Sequence, residues 1–201
     1  MARGAVGRQT GPVFTLIHRI DRLSRAAFGL VAWLTLAMVL VGAYNALARY
    51  FDQTVAWRLS SNAWVELQWF LFSLVFLFGA PWALRLGSHV RVDVLYGRFS
   101  QRTRAWIDLA GGVLFLVPFA LFALVVSLPS VSDSLAVWER SPDPGGLWRW
   151  PIKCAVPLAF LLLLLQGVAE ILRRWLFLFR DGDAEELGLF SGESGTTGGG
   201  V

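Results

Sequence analysis

Few residues of this chain are of the types that perform catalysis or bind metals. It contains two histidines and one cysteine, so an internal disulfide or a cysteine cluster is excluded. A membrane haem site commonly uses a pair of histidines inside apolar segments. His18 precedes the first apolar segment, however, and His89 follows the second. The motifs HExxH, GxSxG, CxxC and Walker A are also absent. The sequence therefore predicts no enzyme, no metal site and no cofactor.

Acidic residues inside apolar segments are the next candidates, because a charge in lipid is costly and is often functional. Glu66 and Asp108 lie near the starts of their segments, where a helix dipole favours an anion. Glu170 lies about one turn before Arg173 and Arg174, which predicts a local ion pair. The favoured interpretation is that dipoles or arginines hold these acids at the membrane interface. Contact of Glu66 and Asp108 with a partner subunit is the alternative.

Composition indicates the element that must carry these residues. The chain of 201 residues is 56% hydrophobic and only 16% charged, against about 45–50% and about 25% in a soluble domain. About 20 helical residues cross the roughly 30 Å hydrocarbon core of a bilayer. Four apolar segments are long enough to do so, at residues 26–48, 64–84, 105–128 and 152–172. Buried helices of a soluble core are the alternative, but too little polar chain remains to cover them. We therefore predict an all-α membrane protein with four transmembrane helices in residues 26–172.

The basic residues predict the orientation of these helices. A pI near 10 could indicate nucleic acid binding, but the arginines flank apolar segments and are better read as topology signals. Thirteen of the 18 Lys and Arg residues precede the first segment, join the second to the third, or follow the fourth. The positive-inside rule then places both termini in the cytoplasm. Residues 1–25 are an N-terminal segment, and residues 173–201 are a tail predicted to be largely disordered because it is acidic and Gly/Ser/Thr-rich.

The connection between the second and third segments contains a predicted amphipathic helix at about residues 90–100. Its residues alternate like a strand, but an isolated strand would have no partner. A helix instead collects an apolar face and a separate basic stripe, which suit a helix lying flat at the cytoplasmic membrane surface. The interface residues are Arg91, Val92, Leu95, Tyr96, Arg98 and Phe99. Ser100 is a candidate N-cap for the next helix.

Two further features concern backbone geometry. Pro118 and Pro157 lie inside apolar segments and predict kinks there. In the outer connection, residues Pro142–Gly146 predict a tight turn. Three charged residues near that turn are candidates for partner contacts, namely Glu139, Arg140 and Arg149. Whether this loop is a docking surface for a periplasmic partner or only a rigid connection stays open.

Three stretches in order resemble one known family. They are "WVELQWF" opening the second segment, "LRLGSHVRVDVLYGRFSQRTRAWID" joining the second to the third, and "ERSPDPGGLWRWPIK" leading into the fourth. Together with the four segments they are similar to the small, DctQ-like membrane subunit of TRAP (tripartite ATP-independent periplasmic) transporters. The run from His89 to Asp93 is the most telling part. The resemblance covers about Ile17 to Arg174 and leaves out both ends of the chain.

The resemblance implies a multi-pass protein of the bacterial inner membrane with defined partners. A large permease subunit would carry the substrate and sodium sites and move by an elevator mechanism. A periplasmic solute-binding protein would deliver the substrate, typically an organic acid. The small subunit would brace the large one, in contact with lipids and not with nucleic acid. A stand-alone four-span transporter or channel, or the membrane anchor of a redox enzyme, are the alternatives.

Overall fold

The structure, a computed structural model, describes residues 12–55, 59–87, 99–179 and Leu189. It contains four long helices: α1 (Pro12–Val55), α2 (Asn62–Leu86), α3 (Gln101–Ala136) and α4 (Trp150–Phe179). All four are long and apolar enough to cross a membrane. No β-strand occurs in the described ranges. The prediction of an all-α protein with four membrane-length helices is confirmed.

Helix α1 is longer than a bilayer requires. It has 44 residues, whereas about 20 suffice. It begins at Pro12, a residue suited to the first helical turn, well before the predicted segment at residue 26. Ile17 and Ile20 are buried, and Asp21 and Ser24 continue the same face. Because arginines lie between these residues, a search for segments without charges does not detect this buried face.

Helix α3 changes its winding near its middle. The parts Gln101–Gly111 and Val117–Ala136 are α-helical, and Gly112–Leu116 forms a π-turn between them. The N–H of Val117 donates to the carbonyl of Gly112, five residues back. Pro118 follows directly, and it has no N–H and a ring that crowds an ordinary helical turn. The predicted irregularity at Pro118 therefore takes the form of one wide turn immediately before it.

Two predictions concern the start of α3 and the residues before it: the N-cap at Ser100 and the interfacial helix at about residues 90–100. The Ser100 hydroxyl accepts a hydrogen bond from the Thr103 N–H at 3.2 Å, so the predicted N-cap is confirmed. Of the predicted interfacial helix, Arg91, Val92, Leu95, Tyr96 and Arg98 lie outside the described residues. Phe99 is described and is exposed. The interfacial helix stays a prediction.

The described residues form two compact units, and each helix contributes to both. Unit 1 is drawn from Met1–Arg25, Ala80–Leu121 and Leu162–Val201, and unit 2 from Ala26–Gly79 and Phe122–Leu161. The core of unit 1 contains Ile17, Ile20, Ala169, Leu176 and Leu189. The core of unit 2 contains Phe70, Ile152 and Ala155. Helix α4 supplies residues to both cores.

Candidate functional site

Unit 1 contains a buried network of three carboxylates and three guanidinium groups, called here the ion network. Its charges come from all four helices and sum to zero, because each sign is represented three times. The members are Asp21 in α1, Arg85 in α2, Asp108 in α3, and Glu170, Arg173 and Arg174 in α4. Because burial of an unpaired charge is costly, the pairing explains how unit 1 tolerates six charged residues.

Arg173 is the centre of the ion network. It is only 2% exposed. One terminal nitrogen donates to Asp21 of α1, and the other donates to Glu170 of its own helix. The planar fork of a guanidinium allows two carboxylates to be bound at once in a fixed geometry, which a lysine ammonium does not match. Arg173 therefore joins α1 to α4 through charge-assisted hydrogen bonds.

Two uncharged side chains, Ser24 and Gln166, complete the contact between α1 and α4. Gln166 is fully buried and lies one turn before Glu170 on the same face of α4. Its amide nitrogen donates to Asp21 at 3.1 Å and to Glu170 at 3.3 Å. Its carbonyl oxygen accepts from the Ser24 hydroxyl at 2.7 Å. Each buried polar atom of this glutamine therefore has a partner, which is the condition for a stable buried polar group.

The two remaining helices join through arginines. Arg174 contacts Asp108 of α3 through Nε and Nη2, both at 3.0 Å, and Glu170 through Nη1 at 2.6 Å. Arg85 of α2 lies 3.4 Å from the Asp21 carboxylate and 4.0 Å from that of Glu170. The ion network thus fixes the four helical segments of unit 1 to one another.

Packing between α3 and α4 supports the same contact. A Cβ atom on Gly112 would lie 2.8 Å from Cγ1 of Ile171, and one on Gly167 would lie 2.9 Å from Cδ2 of Leu116. Both glycines therefore permit an approach that a larger residue would prevent. Close approach at small residues is a general way in which membrane helices associate.

Part of the ion network was predicted and part was not. The ion pairs of Glu170 with Arg173 and Arg174 are confirmed. For Asp108 the sequence left a helix dipole and an arginine open, and in the structure Arg174 contacts it. Asp21 was missed because it lies among arginines outside the predicted membrane segment. Its position on the Ile17–Ile20 face of a helix is the signal that could have found it.

Unit 2 contains a second polar site, built around Glu66 near the start of α2. The Glu66 side chain is buried, and its carboxylate accepts from the Ser141 hydroxyl and from the Leu147 N–H, the latter at 2.6 Å. These two residues belong to a short hairpin-like loop in which Arg140 pairs with Trp148. Glu66 therefore holds this loop against α2, a role for which its sequence position gave no signal.

The loop closes in the predicted tight turn. The Gly146 N–H donates to the Asp143 carbonyl at 3.0 Å, and Gly145 has a φ of +75° that favours glycine. The N–H of Ser141 donates to the Leu147 carbonyl at 2.9 Å. The turn prediction for Pro142–Gly146 is confirmed. A side chain at position 146 would clash with its surroundings, because a Cβ atom on Gly146 would lie 2.9 Å from the Glu66 carboxylate.

Charged and aromatic residues flank this loop. Lys153 donates to Glu139, and this hydrogen bond lowers the pKa of Glu139 below its ordinary value. The stabilisation that follows from the lowered pKa is present at neutral pH and is lost as the pH falls through the pKa of the folded state. The Arg140 guanidinium lies 4.1 Å from the ring centre of Trp148, a cation–π contact. The predicted partner contacts of Glu66, Asp108, Glu139, Arg140 and Arg149 stay predictions.

The outward faces of the helices are strongly apolar. Exposed hydrophobic residues occur along all four helices, and Phe115 in α3 is 74% exposed. Phe119, Phe122 and Val126 continue this stripe at helical spacing and are also exposed. Contiguous apolar surface of this extent indicates contact with lipid or with another protein. Within the described part of the chain, no group of three or more His, Cys, Asp or Glu residues could hold a metal ion.

Four membrane-length helices, paired buried charges and apolar outer faces define a multi-pass helical membrane protein. The family model described as "Tripartite ATP-independent periplasmic transporters, DctQ component" matches residues 38–177. The chain belongs to this family, which supplies the small permease subunit of TRAP transporters and is a family of transporter components, not enzymes. The resemblance read from the sequence is confirmed. No curated protein and no solved structure matches the chain.

Proposed function

We propose that this chain is the scaffold subunit of a binding-protein-dependent transporter and holds the large permease subunit in place. The ion network is the observation that carries the proposal. It pairs all six of its charges within the chain and fixes the four helices of unit 1 to one another. The chain is therefore suited to remain rigid while its apolar outer faces contact a larger membrane protein.

The family supports the identity of the partners. TRAP systems combine the small subunit with a large permease subunit and a solute-binding protein. In the proposed complex, the large subunit moves the substrate by an elevator motion driven by a sodium gradient. The substrate is an organic acid or a related small solute. An elevator requires one part to stay fixed in the membrane while another part slides, and the small subunit supplies the fixed part.

The proposed membrane placement follows the arginine distribution. With both termini in the cytoplasm of a bacterium, the connection between α2 and α3 faces the cytoplasm and the connection between α3 and α4 faces the periplasm. The predicted interfacial helix at residues 90–100 anchors the inner side through its arginines and apolar face. The Glu66-bound loop then faces the periplasm, where Arg140 is exposed to a solute-binding protein. Neither a stand-alone channel nor a redox anchor is favoured by the family.

The proposal is tested by expressing the chain together with a large TRAP permease subunit from the same organism. We expect the two to co-purify, and we expect sodium-driven uptake in proteoliposomes to require both subunits and the binding protein. A matched preparation that lacks only this chain is the control. Full uptake in that control, with an unchanged lifetime of the large subunit in detergent, would show that the chain has no bracing role.

A further inference from the structure

Unit 2 contains a groove of about 470 Å³ between α2 and the start of α4. This volume falls within the roughly 300–1,000 Å³ of small-molecule sites. One wall contains Phe72 and Phe76 of α2, and the other contains Ile152 and Val156 of α4. Each pair is spaced by four residues, so each wall follows the axis of its helix. An apolar trough of this form fits an extended hydrocarbon chain.

The charged residues that line this groove are both cationic. They are Arg149, directly before α4, and Lys153, in its first turn. The positive end of the α4 dipole adds to their field. By the predicted orientation this end lies at the outer membrane boundary, where lipid headgroups are found. The groove therefore combines an apolar trough with a cationic end at headgroup level.

Arg149 leaves one hydrogen-bond donor without an acceptor. Its Nε is buried, and no described residue accepts from it. Glu66 and Glu139 are close enough to Arg149 to interact with its charge. Their carboxylates are engaged by Ser141 and the Leu147 N–H in the one case, and by Lys153 in the other. A guanidinium stays charged at any physiological pH, so a phosphate group in the groove would be attracted to Arg149.

We propose that this groove binds a membrane phospholipid, with its phosphate at Arg149 and one acyl chain between Phe76 and Val156. A helix of a protein partner could fill the trough, but an apolar helix would place no anion beside Arg149 and Lys153. A phospholipid matches the apolar walls and these two cations together. This inference does not depend on the proposed scaffold function.

The test measures lipid binding to the purified, delipidated full chain by native mass spectrometry. The probes are a phosphatidylglycerol and a diacylglycerol with the same acyl chains. We expect phosphatidylglycerol to bind more tightly, and we expect Arg149→Gln to weaken its binding about tenfold without changing that of diacylglycerol. Arg140→Gln removes a nearby charge outside the groove and is expected to bind like the wild type. Excess inorganic phosphate is expected not to displace the lipid, because it cannot occupy the trough.

A second set of variants tests the trough. Val156→Trp fills it and is expected to weaken binding of both probes, whereas Leu158→Trp adds the same bulk to an exposed position of α4 outside the groove. Phe76→Ser removes part of the wall at an exposed position without adding bulk and is expected to act like Val156→Trp. Equal binding of the two probes to the wild type would overturn the phosphate assignment. Unchanged lipid binding in Val156→Trp, together with loss of the large subunit, would assign the groove to a partner helix instead.

Discussion

At the scale of single residues, the guanidinium group of Arg173 binds carboxylates on two different helices. Its two terminal nitrogens engage Asp21 and Glu170, which lie on α1 and α4. A glutamine at this position would lose the positive charge and leave the three carboxylates of the ion network with only two arginines, Arg85 and Arg174. The stability of unit 1 therefore depends on this side chain more than on any surface arginine.

We predict that Arg173→Gln lowers the free energy of unfolding by about 3–5 kcal/mol, the usual cost of removing one partner from a buried ion pair. The measurement is thermal unfolding in detergent followed by size-exclusion chromatography. Arg22→Gln, at an exposed position of α1, serves as the control and is expected to unfold like the wild type. The double variant Asp21→Asn with Arg173→Gln is expected to lose less than the sum of the single losses. Strict additivity would contradict a direct interaction.

Glu66 gives a second prediction at this scale. Replacing it with Ala removes the acceptor for the Ser141 hydroxyl and the Leu147 N–H. We expect the loop that contains Ser141 and Leu147 to open more often. Cleavage of this loop by a protease should then be faster by about tenfold, as a cost near 1.4 kcal/mol would give. Asp133→Asn, at an exposed position before the loop, is the control. Equal cleavage rates in the two variants would show that Glu66 does not hold the loop.

Which of these contacts could be read from the sequence depends on separation along the chain. The pairs of Glu170 with Arg173 and Arg174 span three and four residues, so helical spacing alone predicts them. Arg173 and Asp21 are 152 residues apart, and no local pattern relates them. Glu66 and Leu147 are likewise distant, at 81 residues. Their pairing follows from the packing of the helices and the path of the loop, which periodicity does not determine.

At the scale of elements, the contact between α3 and α4 depends on the absence of side-chain atoms at Gly112. This residue opens the π-turn, and its backbone is ordinary right-handed helix, with φ of −61°. Its neighbour Gly111 has a similar φ of −60°. The two glycines thus differ in their surroundings and not in their backbone conformation, which makes them a matched pair.

We predict that Gly112→Ala destabilises the protein by about 1–3 kcal/mol, because the new methyl group would overlap Ile171. Gly111→Ala meets no atom within 4 Å and is expected to be neutral or to stabilise by up to about 1 kcal/mol. The measurement is again thermal unfolding in detergent. Equal effects of the two substitutions would mean that α3 and α4 do not approach closely at this turn.

The predicted helix at residues 90–100 is tested by charge reversal. We expect Arg91→Glu combined with Arg98→Glu to weaken membrane seating or assembly, because the basic stripe would then repel anionic lipid headgroups. The measurement is co-purification of the large subunit together with uptake in cells. Arg91→Lys with Arg98→Lys retains the charge and serves as the control. Unchanged assembly and uptake after reversal would count against this helix as an anchor.

At the scale of the whole molecule, the length of the apolar segments was enough to predict four spanning helices. Each segment is almost wholly apolar, and only helices satisfy their own backbone in lipid over such lengths. The ends of the helices were harder to predict. Helix α1 begins at Pro12 and α4 continues to Phe179. Both extend beyond the predicted apolar segments, because these extensions contain charged residues that pair inside the protein.

The chain alone is predicted to carry no solute. Its buried charges in unit 1 are paired with one another, so none is available to bind and release an ion on a transport path. Purified protein in liposomes is expected to give no uptake of organic acids under a sodium gradient. Liposomes that also contain the large subunit and binding protein are the positive control. Solute flux through the chain by itself would contradict the scaffold assignment.

Asp21 and Arg173 are in contact in the fold but far apart along the chain, so they are synthesised at different times. The ribosome makes the acid 152 residues before the arginine, so α1 and α2 are completed while Asp21 lacks its main counter-charge. Only the arrival of α4 supplies Gln166 and Arg173 together. In a nascent chain that stops before α4, Arg85 is therefore the one arginine of the ion network that is available to Asp21.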